Sequence, residues 1–382
     1  MEKIIRKTQL DEYSSRIFDM YFGGMKFAAF DIETTGLMKA HDHVILSGFC
    51  EVGSDPDSED GACVATVTQY LADSIEDEAR VIEATLEKLA GLDMVLTYNG
   101  HRFDMPFTYD RACALSIPIR RKPFDFDLYP AVRKHSGIRD FTPNLKQTTL
   151  ENFMGLWHLR KDTIDGGKSV MMYYDWLVSR DDDLREKILL HNHDDVLQLY
   201  RLLAALGRVD MHGAMRSLGF PVMPGSGSGE AGSGASEEAD TNAQLPMIIT
   251  VKKSVLKSGT LIIDGQLPDE KAPYDPYVDY GISGPALRLR RNGSFTIKAE
   301  VLEKNGFWII DLDALGISDD EIPDAAAAGS GYLVLASPAC ENDLEINTVS
   351  RILTERAAAR IGLWPDEQND AYNGAQLQMI DL

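Results

Sequence analysis

The chain has 382 residues, of which 44 % are hydrophobic, and a formal net charge of -22. That length and apolar content fill at least one full core, leave room for two or three domains, and exclude a fibrous or disordered chain. No window approaches the roughly 18 apolar residues of a membrane span, the opening MEKIIRKTQLDEYSS lacks the apolar run of a signal peptide, and Cys50, Cys63, Cys113 and Cys340 form no CxxC pair or ladder, which argues against zinc and disulfides and fits a cytoplasmic protein.

In chain order, MKFAAFDIE, VILSGFCEV and ACVATVTQYL read as three strands, the last two joined by the polar GSDPDSEDG. SIEDEARVIEATLEKLAGL then places Ile75, Ala79, Ile82, Leu86 and Leu89 at helical spacing. DMVLTYN is the next strand, a helix runs from Pro106 towards Leu115, and DFDLYPAV reads as a fifth, shorter strand before the helix-prone NLKQTTLENFMGL. A long helix is expected from Asp183 to Leu206, with Leu184, Ile188, Leu189, Val196, Leu199, Leu203 and Leu206 on one broad stripe. This order predicts an α/β domain over 1–222.

The stretch from Pro224 to Gln244, rich in Gly, Ser and acids, cannot bury enough apolar surface to offset its ordering entropy. Residues 223–244 therefore read as a flexible linker, and a chain of that composition spans roughly 25 Å on average. Beyond it, over 245–382, strand pairs dominate. ALRLRRNGSFTIKAEV and AEVLEKNGFWIIDLD each place Asn-Gly between apolar alternations, a strong hairpin signal. MIITVKKSV, TLIIDGQL and GYLVLAS add strands, and Asn347 to Leu363 reads as a helix, giving a separate β-rich α+β domain of unassigned role. Asp311 and Asp313 echo a spaced acid pair there, with no recognisable partner acids.

The acids of FDIETTGL raise a sharper question. Asp31 and Glu33, two apart on a strand, point the same way, and adjacent carboxylates repel unless a cation lies between them. Oxygen-only ligation suits Mg²⁺ or Mn²⁺; two solvated acids at a strand end are the bland alternative. In LTYNGHRFDMPF, Asp104 sits among Phe103, Met105 and Pro106, a poor setting for an acid with nothing to bind. In LLHNHDDVLQLYRLL, spacing of i and i+4 puts His191 and Asp195 on one helix face, whereas His193 faces away.

DIETTGL, YNGHRFDMPF and HNHDDVLQL, in that order, resemble the three exonuclease motifs of the DEDD superfamily of 3′–5′ exonucleases, and the intervening NLKQTTLENFMGL and IDGGKSVMMYYDWL most resemble the bacterial YprB-type RNase H-like exonucleases. The resemblance covers about residues 25–210. It implies a ribonuclease H-like mixed five-stranded sheet with flanking helices, and Asp31, Glu33, Asp104 and Asp195 as ligands of two divalent cations, Mg²⁺ or Mn²⁺. Such ions, about 3.5–4 Å apart, stabilise attacking and leaving oxygens in an in-line displacement at phosphorus. Asp195 is preferred over Asp194 because Asn192 and Val196 match the family ending; Asp194 is expected to be a solvated neighbour.

Where the better-known subclasses carry a tyrosine four residues, or a histidine five residues, before the last acid, this chain has His191 at minus four. Its ordinary pKa near 6.5 suits a general base; orienting a carboxylate or phosphate is the alternative role. The family implies that Thr34, Thr35 and Gly36 form a turn beside the terminal nucleotide, with Gly36 supplying conformational freedom. Leu37 could wedge against the last base, and Asn99 and Phe103 are candidate strand contacts, a core role for Phe103 being the alternative.

The expected activity is metal-dependent 3′–5′ exonuclease action on single-stranded DNA or RNA; an RNase H-like endonuclease or resolvase and a non-catalytic nucleic-acid-binding module are the alternatives. The acidic total argues against a polyanionic partner, but it is uneven. Residues 101–161 carry 11 basic against 6 acidic residues, a local excess of +5, while residues 223–382 hold 12 basic against 25 acidic. A basic strip can hold a nucleic-acid backbone; the acidic C-terminal domain points rather to a protein partner.

Overall fold

A computed structural model describes residues 1–55, 61–162, 164, 166–224, 247–268, 279–280, 285–318, 321–322, 331–361 and 363. They fall into two compact units, Met1–Ala214 and Met215–Leu382.

The first unit runs β1 (Glu2–Gln9), α1 (Arg16–Phe22), β2 (Phe27–Thr34), β3 (Val44–Ser54), β4 (Cys63–Leu71), α2 (Glu78–Ala90), β5 (Met94–Thr97), α3 (Asp104–Ala114), β6 (Phe124–Asp127), α4 (Leu128–His135), α5 (Gln147–Phe153), α6 (Gly166–Ser179) and α7 (Asp182–Arg201), and α8 (Met211–Leu218) crosses its end at Ala214. Its sheet has the order β1-β4-β3-β2-β5-β6. β2 is antiparallel to β3 and parallel to β5, which is parallel to β6. The carboxyl ends of β2, β5 and β6 therefore open on one edge, where loops and helix starts can converge.

The mixed sheet gains a sixth strand over the five expected. β1 pairs with β4 along its length, and its alternation is hidden because Glu2 and Arg6 share the half-buried face with Ile4 while Ile5 is exposed beside Lys3 and Lys7. The expected strand DFDLYPAV stops at Asp127, whose carboxylate accepts the Tyr129 N–H at 3.0 Å and so caps α4. The long C-terminal helix is α-helical to Arg201 and tightens into a 3₁₀ run over Leu202–Arg208. Ala28, Phe30 and Ile32 of β2 share a core with Val81, Ile82, Leu86 and Leu89 of α2 and with Ile188 and Leu189 of α7.

The second unit contains a sheet of order β10-β11-β12-β9-β8-β7 and a second of order β13-β14-β15. The strands are β7 (Phe220–Val222), β8 (Ile249–Lys257), β9 (Thr260–Gln266), β10 (Asp279–Tyr280), β11 (Ala286–Leu289), β12 (Ser294–Glu300), β13 (Leu302–Lys304), β14 (Phe307–Asp311) and β15 (Tyr332–Ala336), with helices α9 (Leu312–Leu315) and α10 (Asp343–Arg360). Phe220–Val222 pairs with β8. Asn305 and Gly306 turn between β13 and β14 with φ of 55° and 79°, the paired positive values of a tight hairpin. Asp311 caps α9 by accepting the Ala314 N–H at 2.9 Å, a structural role. The expected linker lies, from residue 225 onward, outside the described residues. No helix among the described residues is long and apolar enough to cross a membrane.

Candidate metal centre

Alternation on β2 turns Asp31 and Glu33 to one face while Ile32 enters the core. Asp104 opens α3, and its Oδ1 accepts the Ile32 N–H at 3.3 Å, which ties that helix start to β2. Asp195 comes from α7. Gln147 of α5 donates to its backbone carbonyl at 2.9 Å, and Arg160 Nη2 donates to its Oδ1 at 2.6 Å. Arg160 also grips the buried Glu151 with two hydrogen bonds of 2.8 Å, which fixes the guanidinium against Asp195.

The four expected acids act on one another. Burial, followed by the charges of Asp104, Asp195 and Glu33, raises the Asp31 pKa well above the ordinary aspartate range. Burial is also the main cause that lifts Glu33 to about 7, against the opposing His191 charge. Asp104 is pushed up to about 7 by burial and by Asp125 and Asp127, despite the N–H of Ile32. Asp195 is raised by burial in spite of His191 and Arg160. Carboxylates crowded so that each resists ionisation form the donor set that a hard divalent cation relieves. One ligand atom each from Glu33, His191 and Asp195 lies within 4.8 Å of the other two. The carboxylates of this set fit a hard divalent cation.

His191 stands between the acids, with Nε2 at 3.5 Å from both Glu33 Oε1 and Asp195 Oδ2. Its Nδ1 bonds Asp162 Oδ2 at 2.6 Å. Burial alone would lower the imidazole pKa; Asp162, Glu33 and Asp195 outweigh it and hold it at about 9. Asp194 is buried, contrary to the solvated role expected of it: its Oδ2 accepts the N–H groups of Lys161 and Asp162 at 2.6 and 2.8 Å. Asp194 thus fixes the turn that presents Asp162 to His191. His193 faces away, with Nδ1 at 3.2 Å from Asp194 Oδ1.

Asn192 locks α7 onto the sheet. Its Nδ2 donates to Asp31 Oδ2 at 3.0 Å, and its Oδ1 accepts from Gln69 Nε2 at 2.9 Å. Asp31, Gly48 and Gln69 lie side by side across β2, β3 and β4, and Gly48 leaves the space that the Asn192 amide fills.

The expected substrate contacts lie on two loops. Thr34 Oγ1 donates to Gly36 O at 2.6 Å, and Thr35 N donates to His43 O at 2.9 Å, closing the loop that exposes 81 % of Leu37. Gly36 does not adopt a positive φ. Its constraint is close approach instead: a Cβ there would meet Asp42 Oδ2 at 2.4 Å, so the Asp42 carboxylate would have to move. The buried Glu78, gripped by Arg111 Nε and Nη2 at 2.7 and 2.6 Å, accepts the Val44 N–H and anchors this loop's far end. Asn99 takes φ 66° and donates its N–H to Asp127 Oδ1 at 2.7 Å, so Asp127 shapes the loop before α3. Phe103 is half-buried and packs its ring 5.4 Å from Phe107, on the core side of its two readings.

Sequence reasoning missed Asp162, Arg160, Glu151 and the Gln69–Asn192 pair. In the sequence, Asn192 serves only to choose Asp195; these residues reach the site through long-range contacts.

Comparison with known proteins gives an RNase_H superfamily match over residues 28–207. The Bacillus subtilis (strain 168) protein YprB, itself uncharacterised, is 29 % identical over 179 residues, covering 45 % of this chain and 40 % of that protein. This chain thus spans less than half the length of that relative. The family B DNA polymerase of Pyrobaculum calidifontis shares 20 % identity over 48 % of this chain and 24 % of that one, with a TM-score of 0.37. Exonuclease I of Escherichia coli in complex with a dT13 oligonucleotide shares 14 % over 92 % and 77 %, with a TM-score of 0.26. Scores this low leave the fold to the superfamily match and the strand order. By these, the first unit has an RNase H-like fold, and the β-rich sheets of the second unit are additional to it.

Proposed function

We propose that the first unit is a metal-dependent 3′–5′ exonuclease that hydrolyses the terminal phosphodiester of single-stranded DNA or RNA. The observations that support this most are Asp31 and Glu33 on one face of β2, Asp104 bonded to the Ile32 N–H of that strand, and ligand atoms of Glu33, His191 and Asp195 within 4.8 Å of one another, with burial raising the pKa of all four acids. All four would serve as ligands. When bound, a pair of hard divalent cations stabilises charge on the attacking and leaving oxygens.

The chain's own residues supply position and proton transfer. Asn192 and the Ile32 N–H orient Asp31 and Asp104; Arg160 orients Asp195. Glu33 and Asp195 are among the charges that raise the His191 pKa, so balancing them would lower it and let Nε2 take the proton of the attacking water. The loop carrying Leu37 borders the acids and can hold the last nucleotide in register.

The test uses 5′-labelled single- and double-stranded DNA and RNA oligomers with Mg²⁺ or Mn²⁺. A ladder shortening from the 3′ side, absent in Asp31→Ala, is expected. Internal cleavage of a circular or 3′-phosphorylated substrate would replace the exonuclease by an endonuclease; no metal-dependent cleavage would defeat both.

A further inference from the structure

Phe141 and Trp157 leave 78 % and 64 % of their surfaces exposed. Single exposed rings are ordinary on a protein surface; the setting of these two is not. Phe141 closes the 3₁₀ turn Ile138–Phe141 and Trp157 opens the 3₁₀ turn Trp157–Leu159, one before and one after α5. The stretch between and beyond them is tied to the end of β5 at one point and to the metal centre at two. Leu145 O accepts the Tyr98 hydroxyl at 2.6 Å, Gln147 donates to Asp195 O at 2.9 Å, and Arg160 donates to Asp195 Oδ1 at 2.6 Å. Trp157 therefore opens the turn that Arg160 follows, and Phe141 lies six residues before Gln147, so the two rings flank the residues that hold Asp195.

The charge of the same stretch is reversed relative to the whole chain. Lys134, Arg139, Lys146 and Lys161 are exposed and form no ion pair among the described residues. Asp140 is the sole exposed acid from residue 133 to residue 161, in a chain whose formal net charge is -22. Cations that alternate along the sequence with exposed rings match a ligand with a repeating negative backbone and accessible π faces. A duplex keeps its bases stacked on one another and offers no such faces; an unpaired strand does.

We propose that Phe141 and Trp157, with Arg139, Lys146 and Lys161, form a track that holds single-stranded nucleic acid on its way to the metal centre. This deepens the exonuclease reading and rests on it for the direction of travel. The rings stack on bases without regard to sequence, and the cations neutralise phosphates.

The test measures binding without turnover. Fluorescein-labelled dT12, U12 and a 12-base-pair duplex are titrated with the full chain in EDTA, comparing wild type with Phe141→Ala, Trp157→Ala, Phe141→Tyr, Trp157→Phe and the pair Arg139→Gln/Lys146→Gln. Each alanine variant is expected to weaken binding of the preferred single strand roughly fivefold or more, because stacking on a base is worth about 1–3 kcal/mol. The aromatic variants should bind nearly as wild type. The glutamine pair should flatten the salt dependence by about 0.7 in log–log slope for each phosphate that is no longer neutralised. Exposed rings carry little folding energy, so melting temperatures should be unchanged in all five.

Alanine variants that bind like wild type, aromatic variants that fail as fully as alanine, or duplex bound as tightly as single strand would overturn the track. Cleavage by wild type in Mn²⁺ is scored separately. Weakened binding in the alanine variants with no cleavage by wild type would sink the nuclease reading and keep the track; cleavage with indifferent variants would do the reverse.

Discussion

The carboxamide of Asn192 fills the space that a side chain at position 48 would occupy: a Cβ on Gly48 would lie 2.1 Å from Asn192 Oδ1. Through that close approach β3, which carries no acid of the site, sets how near α7 comes to Asp31. Gly48→Ala must push Asn192 away and break its bonds to Asp31 and Gln69 together. Overpacking of this kind costs about 1–3 kcal/mol. The expected result is a lowered melting temperature and a fall in turnover larger than Asn192→Ala produces with Gly48 intact. Equal activity in Gly48→Ala and wild type would show that this packing does not set the site.

The same acids make stability depend on pH in a definite direction. Glu33 and Asp104 have pKa values of about 7 in the folded chain, above their ordinary 4.5 and 3.8. Between those limits the unfolded chain gives up protons that the folded chain keeps, so stability is full at low pH and is lost as pH rises. His191, raised from 6.5 to about 9, acts in the same sense over the higher window. In chelator, the contribution of these groups should fall from about pH 4 to about pH 9. Saturating Mn²⁺ should restore it, by about 2.7 kcal/mol at a hundred times its Kd. Thermal melts across this range check it; a metal-induced rise larger at pH 5 than at pH 7.5 would contradict the assignment.

His191 and Asp162 should behave as one unit. The 2.6 Å bond between them fixes which imidazole nitrogen faces the acids. His191→Ala is expected to lower kcat by about 10²–10⁴-fold, the range of a positioned proton acceptor. Asp162→Asn should lower it less, and the double variant should be no worse than His191→Ala alone. Multiplying effects in single-turnover kinetics would show that Asp162 acts independently.

Much of this centre was legible in the sequence because strand alternation and helical spacing are local. Asp31 and Glu33 share a face by the pleat, and His191 and Asp195 share one by a single helical turn, as expected. Asp104 could be noticed as an acid among apolar neighbours, and the three motifs named the fold. Asp194 was misread because its partners, the N–H groups of Lys161 and Asp162, lie more than thirty positions away. Gly36 was misread for a related reason: glycine serves both for positive φ and for close approach, and only the position of Asp42 decides between them. β1 was missed because an edge strand needs little apolar alternation to pair with its neighbour.

The most direct measurement is a Mn²⁺ titration of the full chain followed by calorimetry and by the spectroscopic signal of free manganese. Two ions per wild-type chain are predicted, with at least one lost in Asp31→Asn while the melting profile in chelator stays cooperative. A wild-type chain that takes up no Mn²⁺, or an Asp31→Asn chain that takes up the full complement with unchanged affinity, would contradict it.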